Sequence, residues 1–130
     1  MAAIVVDTSV LIDYFEGGRF ESLVEAMAAG LVFVPSLVVA EVVAGATTIE
    51  QRRTIGEFLQ EVPVLDAPLA HWIDVRTLRR DLRRKGLTVT LPDAHIAQCA
   101  LDLDAVLLTR DAVFAQIAQH TRLRLTSAAS

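Results

Sequence analysis

The sequence predicts an α/β domain built on a parallel sheet, and three observations point to it. Uninterrupted apolar runs of strand length stand at residues 3–6, 31–34 and 105–108. Continuous runs suit strands covered on both faces, the condition of a parallel sheet. Stretches with helical spacing of apolar residues separate them, and strand–helix alternation is the mark of this class.

The first strand, 3–6, ends at Asp7, and a helix over 8–15 follows directly. Residues 20–29 place Phe20, Leu23, Val24 and Met27 on one helical face, before the second strand, 31–34. Residues 37–44 read two ways. Their β-branched content suits a strand, whereas Pro35-Ser36 before them and Gly45 after them punctuate a helix with Ser36 as N-cap. A helix over 49–61 carries Ile55, Phe58 and Leu59. Residues 62–65 make a weaker strand, because Pro63 lacks a ladder donor and belongs at an edge or a strand start. The longest helix, 67–85, buries Trp72, Val75, Leu78 and Leu82 and stops at Gly86. Helices over 92–103 and 111–119 flank the third strong strand, and residues 123–125 alternate as a short final edge strand. The sheet thus has about four to five strands. With no repeat or linker, residues 1–126 form a single domain, and 127–130 are expected as a frayed tail.

Composition narrows the function classes. With 130 residues, 53% of them hydrophobic, the chain can bury a core and general disorder is excluded. A net charge of −4 argues against coating nucleic acid by bulk attraction, though not against a local basic surface. Cys99 is the single cysteine, so no internal disulfide forms and a cytoplasmic protein is expected, with a buried, inert thiol. No secretory signal and no membrane span is read, since the longest uncharged stretch, 26–40, is short and holds Gly30 and Pro35.

The chemistry lies in four acids. Asp7 closes the first strand, Asp111 follows the run 105–109 by two residues, and Glu41 and Asp93 sit in the opening turns of expected helices. Each has a bland reading. Asp7 and Asp111 suit helix N-caps, Thr90-Leu91-Pro92-Asp93 matches a capping box, and Glu41 could be a solvated helix residue. Jointly they read differently. Strand carboxyl ends are where α/β sheets form ligand crevices. Glu41 has almost wholly apolar sequence neighbours, a costly setting for a lone charge. Gathered carboxylates repel one another until protons or cations intervene, and hard divalent cations would support phosphodiester hydrolysis.

Four blocks in order now carry a resemblance: Ile4-Val5-Val6-Asp7-Thr8-Ser9-Val10-Leu11-Ile12, Pro35-Ser36-Leu37-Val38-Val39-Ala40-Glu41-Val42, Pro92-Asp93-Ala94-His95-Ile96-Ala97, and Leu107-Leu108-Thr109-Arg110-Asp111-Ala112-Val113-Phe114. The chain resembles the PIN-domain nucleases and, among them, the VapC-type toxins of bacterial toxin–antitoxin pairs. Residues 47–86 carry little of this signal. The resemblance implies a three-layer α/β/α sandwich and an endoribonuclease dependent on Mg²⁺ or Mn²⁺. It implies metal-holding roles for Asp7, Glu41, Asp93 and the more variable Asp111, with Thr8 and Thr109 orienting them. It also implies a homodimer and a VapB-type antitoxin that blocks the site.

Arg76, Arg79, Arg80, Arg83 and Arg84 share one helical face, and arginine forks suit phosphate. They are candidate RNA contacts, with a solvated face as the plain alternative. His95 is expected at a helix surface or partly buried, His71 and His120 have no recognisable context, and Asp13 is expected to be solvated. Trp72 and Tyr14 are read as core residues or partner contacts. A toxin that hydrolyses tRNA or ribosomal RNA is the leading reading. An RNA-processing PIN nuclease and a non-catalytic module binding cations or peptide stand as rivals. A haloacid-dehalogenase phosphatase is disfavoured, because Ser9 stands where a second aspartate is needed.

Overall fold

The computed structural model describes residues 2–127. Its strands are β1 (Ile4–Val6), β2 (Val32–Pro35), β3 (Val64–Leu65), β4 (Val106–Thr109) and β5 (Arg124–Ser127), in the order β3-β2-β1-β4-β5. Every pairing is parallel. Among the described residues seven helices flank this sheet: α1 (Thr8–Phe15), α2 (Glu21–Ala28), α3 (Ser36–Gly45), α4 (Ile49–Glu61), α5 (Leu69–Arg84), α6 (Leu91–Leu103) and α7 (Ala112–Ala118). The result is the α/β/α sandwich that the resemblance implied.

The central strands are the apolar runs of the sequence. Ile4, Val5 and Val6 are all buried, as are Leu107 and Leu108 of β4. The weaker candidate shrinks to two residues at the edge. Val34 N–H donates to the Pro63 carbonyl at 3.0 Å, so the proline contributes its acceptor and the strand starts just after it. At the opposite edge, β5 extends through Thr126 and Ser127, paired with Leu108 and Thr109. Ser127 is therefore strand, not tail, and residues 128–130 lie outside the described residues.

The ambiguous segment is helix α3, which packs on β2, α1 and α6. Val38 and Val42, four residues apart, are buried on one face. Burying each stabilises by about 1.5 kcal/mol or more. The helix penalty for valine is only about 0.6 kcal/mol per residue, so burial outweighs propensity. The N-cap is Pro35, which has no side-chain cap bond, and not Ser36. Proline's extended backbone (φ −60°, ψ 146°) turns β2 into the helix, and the Ser36 hydroxyl is directed elsewhere.

In α5 the buried stripe is His71, Val75, Leu78 and Leu82, while Trp72 is only half-buried. Gly86 (φ +87°) stops the helix, with Gly86 N–H on the Arg83 carbonyl at 3.0 Å and Leu87 N–H on that of Leu82 at 2.9 Å. Tyr14 joins Phe15 and Phe58 in an aromatic cluster, with ring centroids 5.2 to 5.9 Å apart.

Candidate active site

The strand order decides where a site can form. From β1 the chain steps outward to β2 and β3, then crosses back to β4 and β5 on the other side. The direction of winding reverses between β1 and β4, and the carboxyl ends of strands at such a reversal are where open α/β sheets bind ligands. Asp7 stands at that point, its N–H donating to the Leu108 carbonyl at 3.3 Å.

Asp7 is 3% exposed, and both of its carboxylate oxygens accept hydrogen bonds. Its Oδ1 accepts from Val10 N–H at 3.1 Å and Ser9 Oγ at 2.8 Å, capping α1. Its Oδ2 accepts from the Thr109 hydroxyl. Thr109 Oγ1 in turn accepts from Asp111 N–H at 3.0 Å, and Asp111 caps α7 through Val113 N–H at 3.1 Å. Thr8 Oγ1 donates to Glu41 Oε1 at 3.0 Å, tying α1 to α3. Asp93 lies in the first turn of α6, where its N–H donates to Thr90 Oγ1 at 3.3 Å.

Electrostatics join the four acids. Burial raises the Asp7 carboxyl above its ordinary range, and Asp111 pushes the same way, while bonds from Thr109, Val10 and Ser9 pull it back. Burial also raises Asp93, opposed by Thr90 and reinforced by Asp111, Glu41 and Asp7 in that order. Asp93 therefore lies within the field of the other three, and Asp7 within that of Asp111. The donor set is all oxygen and all anionic, which fits a hard divalent cation.

The PIN domain family profile matches residues 4–119. The chain belongs to that family. Among curated protein sequences no match is found. Solved structures show the same fold. A DNA-bound VapBC from Salmonella typhimurium is 22% identical with TM-score 0.83, covering 98% of this chain and 99% of that one. VapBC-1 from nontypeable Haemophilus influenzae is 23% identical with TM-score 0.78, over 98% and 99%. VapBC-5 from Mycobacterium tuberculosis is 24% identical with TM-score 0.73, over 98% and 99%.

Within this PIN domain some sequence expectations change. Glu41 is exposed and sits in the second turn of α3, on a side where Ala40, Val43 and Ala44 are exposed too, so its carboxylate is open to solvent. Asp13 is not freely solvated but accepts from Arg110, whose guanidinium lies 4.8 Å from the Phe20 ring centre. The five arginines of α5 do share a face. With Trp72, Val75 and Leu91 they line a groove of about 600 Å³. Leu91 is two residues before Asp93, so this groove approaches the acids. Arg79 is partly spent on the Val89 carbonyl at 3.0 Å, and Arg80 pairs with Asp81 at 3.3 Å.

The largest departure concerns the histidines. His95 is fully buried and not at a helix surface. It stacks on Trp72 at 4.7 Å with an 8° interplanar angle, and its Nδ1 lies 2.8 Å from His71 Nε2. His71 Nδ1 lies 2.6 Å from Asp102 Oδ2. Burial, then His71, lower His95 to about 4, with Asp102 opposing, so it is neutral at physiological pH. One signal could have found this group: His95, Cys99 and Asp102 recur at i, i+4 and i+7 on α6.

Proposed function

We propose that this PIN domain is a metal-dependent endoribonuclease and the toxin of a VapBC-type pair. One observation carries the reading. Asp7, Glu41, Asp93 and Asp111, drawn from four elements, converge at the β1/β4 switch point, and Asp93 feels the other three. Nuclease activity is general to the family.

The four carboxylates would hold Mg²⁺ or Mn²⁺. Bound there, such an ion supplies Lewis-acid polarisation of a phosphodiester and lowers the pKa of water. The chain's own residues set the stage. Thr109 fixes the Asp7 carboxylate and the Asp111 backbone together. Thr8 aims Glu41 from the neighbouring helix. Such partners of metal-holding carboxylates typically change activity or affinity 10- to 100-fold, so both threonines act by positioning. Arg76, Arg83 and Arg84 offer exposed guanidinium groups to RNA phosphates along the α5 groove. In-line hydrolysis by water leaves 5′-phosphate and 3′-hydroxyl ends.

The toxin reading rests on the solved relatives, among them VapBC-5 of the VapBC family of toxin–antitoxin systems. A small antitoxin and a second copy of this chain are the proposed protein partners, with tRNA or ribosomal RNA as substrate. Cys99 is a free, buried cysteine, in keeping with a reducing cytoplasm, and no described helix is long and apolar enough to cross a membrane.

The test is induced expression of wild type and Asp93→Asn, followed by mapping of new RNA 5′ ends, with the purified proteins assayed in Mn²⁺ and in chelator. Growth arrest and discrete cuts with wild type alone, abolished by chelator, are expected. Cleavage without growth arrest would indicate a processing enzyme. No cleavage under any metal would leave a non-catalytic module.

A further inference from the structure

The acid pocket leaves a second group of ligating side chains without a role. His71 on α5 and His95 and Cys99 on α6 offer two imidazole nitrogens and a sulfur, all within 4.8 Å of one another. All three residues are buried. His95 and Cys99 stand four residues apart and leave α6 on the same face.

His71 Nδ1 has a carboxylate acceptor, whereas His95 Nε2 accepts a long bond from Leu37 N–H at 3.5 Å. His71 Nδ1 reaches Asp102 Oδ2 at 2.6 Å, and His95 Nε2 lies 3.5 Å from Ser36 Oγ. Their inner nitrogens therefore face each other, with the Cys99 sulfur 3.9 Å from His95 Nδ1. Histidines that hold a metal characteristically hand the far N–H to a carboxylate or another acceptor, which fixes tautomer and ring orientation. A cavity of about 290 Å³, lined by His71, Cys99, Asp66, Asp74 and Asp102, opens onto the group. It leads a cation past three carboxylates to two imidazoles and a thiol.

The metal-free core satisfies the histidines with one proton shared across 2.8 Å, and leaves Cys99 a bystander. Tetrahedral zinc has bonds of about 2.0 Å to nitrogen and 2.3 Å to sulfur, so its ligands stand roughly 3.3 to 3.6 Å apart. The two nitrogens would part by about 0.5 Å, and the sulfur, in a set of ligand atoms spread over 4.8 Å, would approach the farther nitrogen by about 1 Å through rotation of the Cys99 side chain.

We propose that His71 Nε2, His95 Nδ1 and Cys99 Sγ bind a zinc-class divalent ion, apart from the acid pocket, with a cavity water as fourth ligand. On binding, the Cys99 proton leaves to solvent and the His95 proton moves from Nδ1 to Nε2, where Ser36 Oγ accepts it and the long bond from Leu37 N–H is given up. Burial pushes the free thiol up to about 12, so without the ion it stays protonated and inert. The bound ion would clamp α5 to α6 behind Asp93, and through Ser36 would reach the start of the helix that carries Glu41.

The experiment uses untagged full-length protein, stripped with chelator under reducing conditions and titrated with Co²⁺. The chain has one cysteine, so a thiolate-to-cobalt charge-transfer band in the near ultraviolet can arise only from Cys99. The band should saturate at about one ion per chain, as a single tetrahedral site requires. It should persist in Asp93→Asn, vanish in Cys99→Ser, and be displaced by Zn²⁺. Zn²⁺ should also raise the melting temperature of Asp93→Asn but not of Cys99→Ser. Absence of the band from wild type overturns the proposal even if the variants fail to fold. Its loss in Asp93→Asn overturns the claim of a separate site.

Discussion

Replacing Thr109 by valine keeps the shape of the residue and deletes one hydroxyl. That hydroxyl donates to Asp7 Oδ2 and accepts from Asp111 N–H. Asp7 is 3% exposed, so water cannot readily take over as donor. A hydrogen bond to a charged group contributes about 1.5 to 3 kcal/mol. The Asp111 amide lies nearer solvent and adds less. Metal-free Thr109→Val should therefore be about 2 to 3 kcal/mol less stable at neutral pH, on the order of 10 °C in melting temperature for a chain of this size. The loss should depend on pH in a fixed direction. Burial already raises the folded-state pKa of Asp7 above 3.8, and Thr109 is the strongest influence lowering it. Without Thr109 the value climbs further. Between the two values the folded variant retains a proton that folded wild type has released. The variant's stability then falls more steeply as pH rises, because the unfolded states are alike. The deficit should be largest above the variant's Asp7 pKa and shrink as pH falls below that of wild type. Chemical denaturation in chelator across that range measures it. A difference under about 0.5 kcal/mol at every pH, the scale of an ordinary surface substitution, or a deficit that widens in acid, would refute the reasoning.

Asp93→Asn should abolish RNA cleavage yet raise the melting temperature of the metal-free protein at neutral pH, since Asp93 is repelled by Asp111, Glu41 and Asp7. Differential scanning calorimetry with and without Mg²⁺ would check it, and Mg²⁺ should stabilise wild type more than the variant. Cleavage by wild type should fall as pH drops into the range above 3.8 where Asp7 and Asp93 take up protons, which a plot of log kcat/KM against pH would display. A flat profile down to 3.8 would exclude these carboxylates as ionised participants. Arg76→Ala with Arg83→Ala should raise KM for RNA while leaving kcat largely intact, and should reduce the slope of log affinity against log salt by about 1 to 2.

The fold was legible because its strands are short apolar runs, and such runs need cover on both faces. α1 and α4 have the bounds that their patterns predict, since Asp7 and Thr48 supply side-chain caps at their starts. α3 was ambiguous because valine favours strands locally, and only its packing on β2, α1 and α6 decides for helix. The acids were legible as positions after strands, but not as a hydrogen-bonded set. Nothing in the local sequence says that Thr8 reaches Glu41, 33 residues away, or that Thr109 reaches Asp7, 102 residues away. The buried histidines were hidden for the same reason, as His71 and His95 meet only once α5 lies against α6. Their partner Asp102 carries no local signal, since an exposed acid late in a helix is usually solvated.

Helix capping alone explains part of the acid pocket, and where it stops is informative. Asp7 Oδ1 and Asp111 Oδ1 cap α1 and α7 and would be explained by that role. Oδ2 of Asp7 is not needed for a cap, yet it is buried and held by a threonine from another strand. Glu41 caps nothing; it accepts from the Thr8 hydroxyl, which reaches it from the neighbouring helix. Asp93 needs only its backbone N–H to serve the Thr90 cap, yet its carboxyl stands in the field of three other acids. A fold selected for stability alone would replace Glu41 or Asp93 with glutamine or asparagine and relieve the repulsion. Features that break local rules without local compensation mark function. Here the uncompensated quantity is negative charge held on oxygen at a switch point, and a divalent cation is the partner that restores the balance.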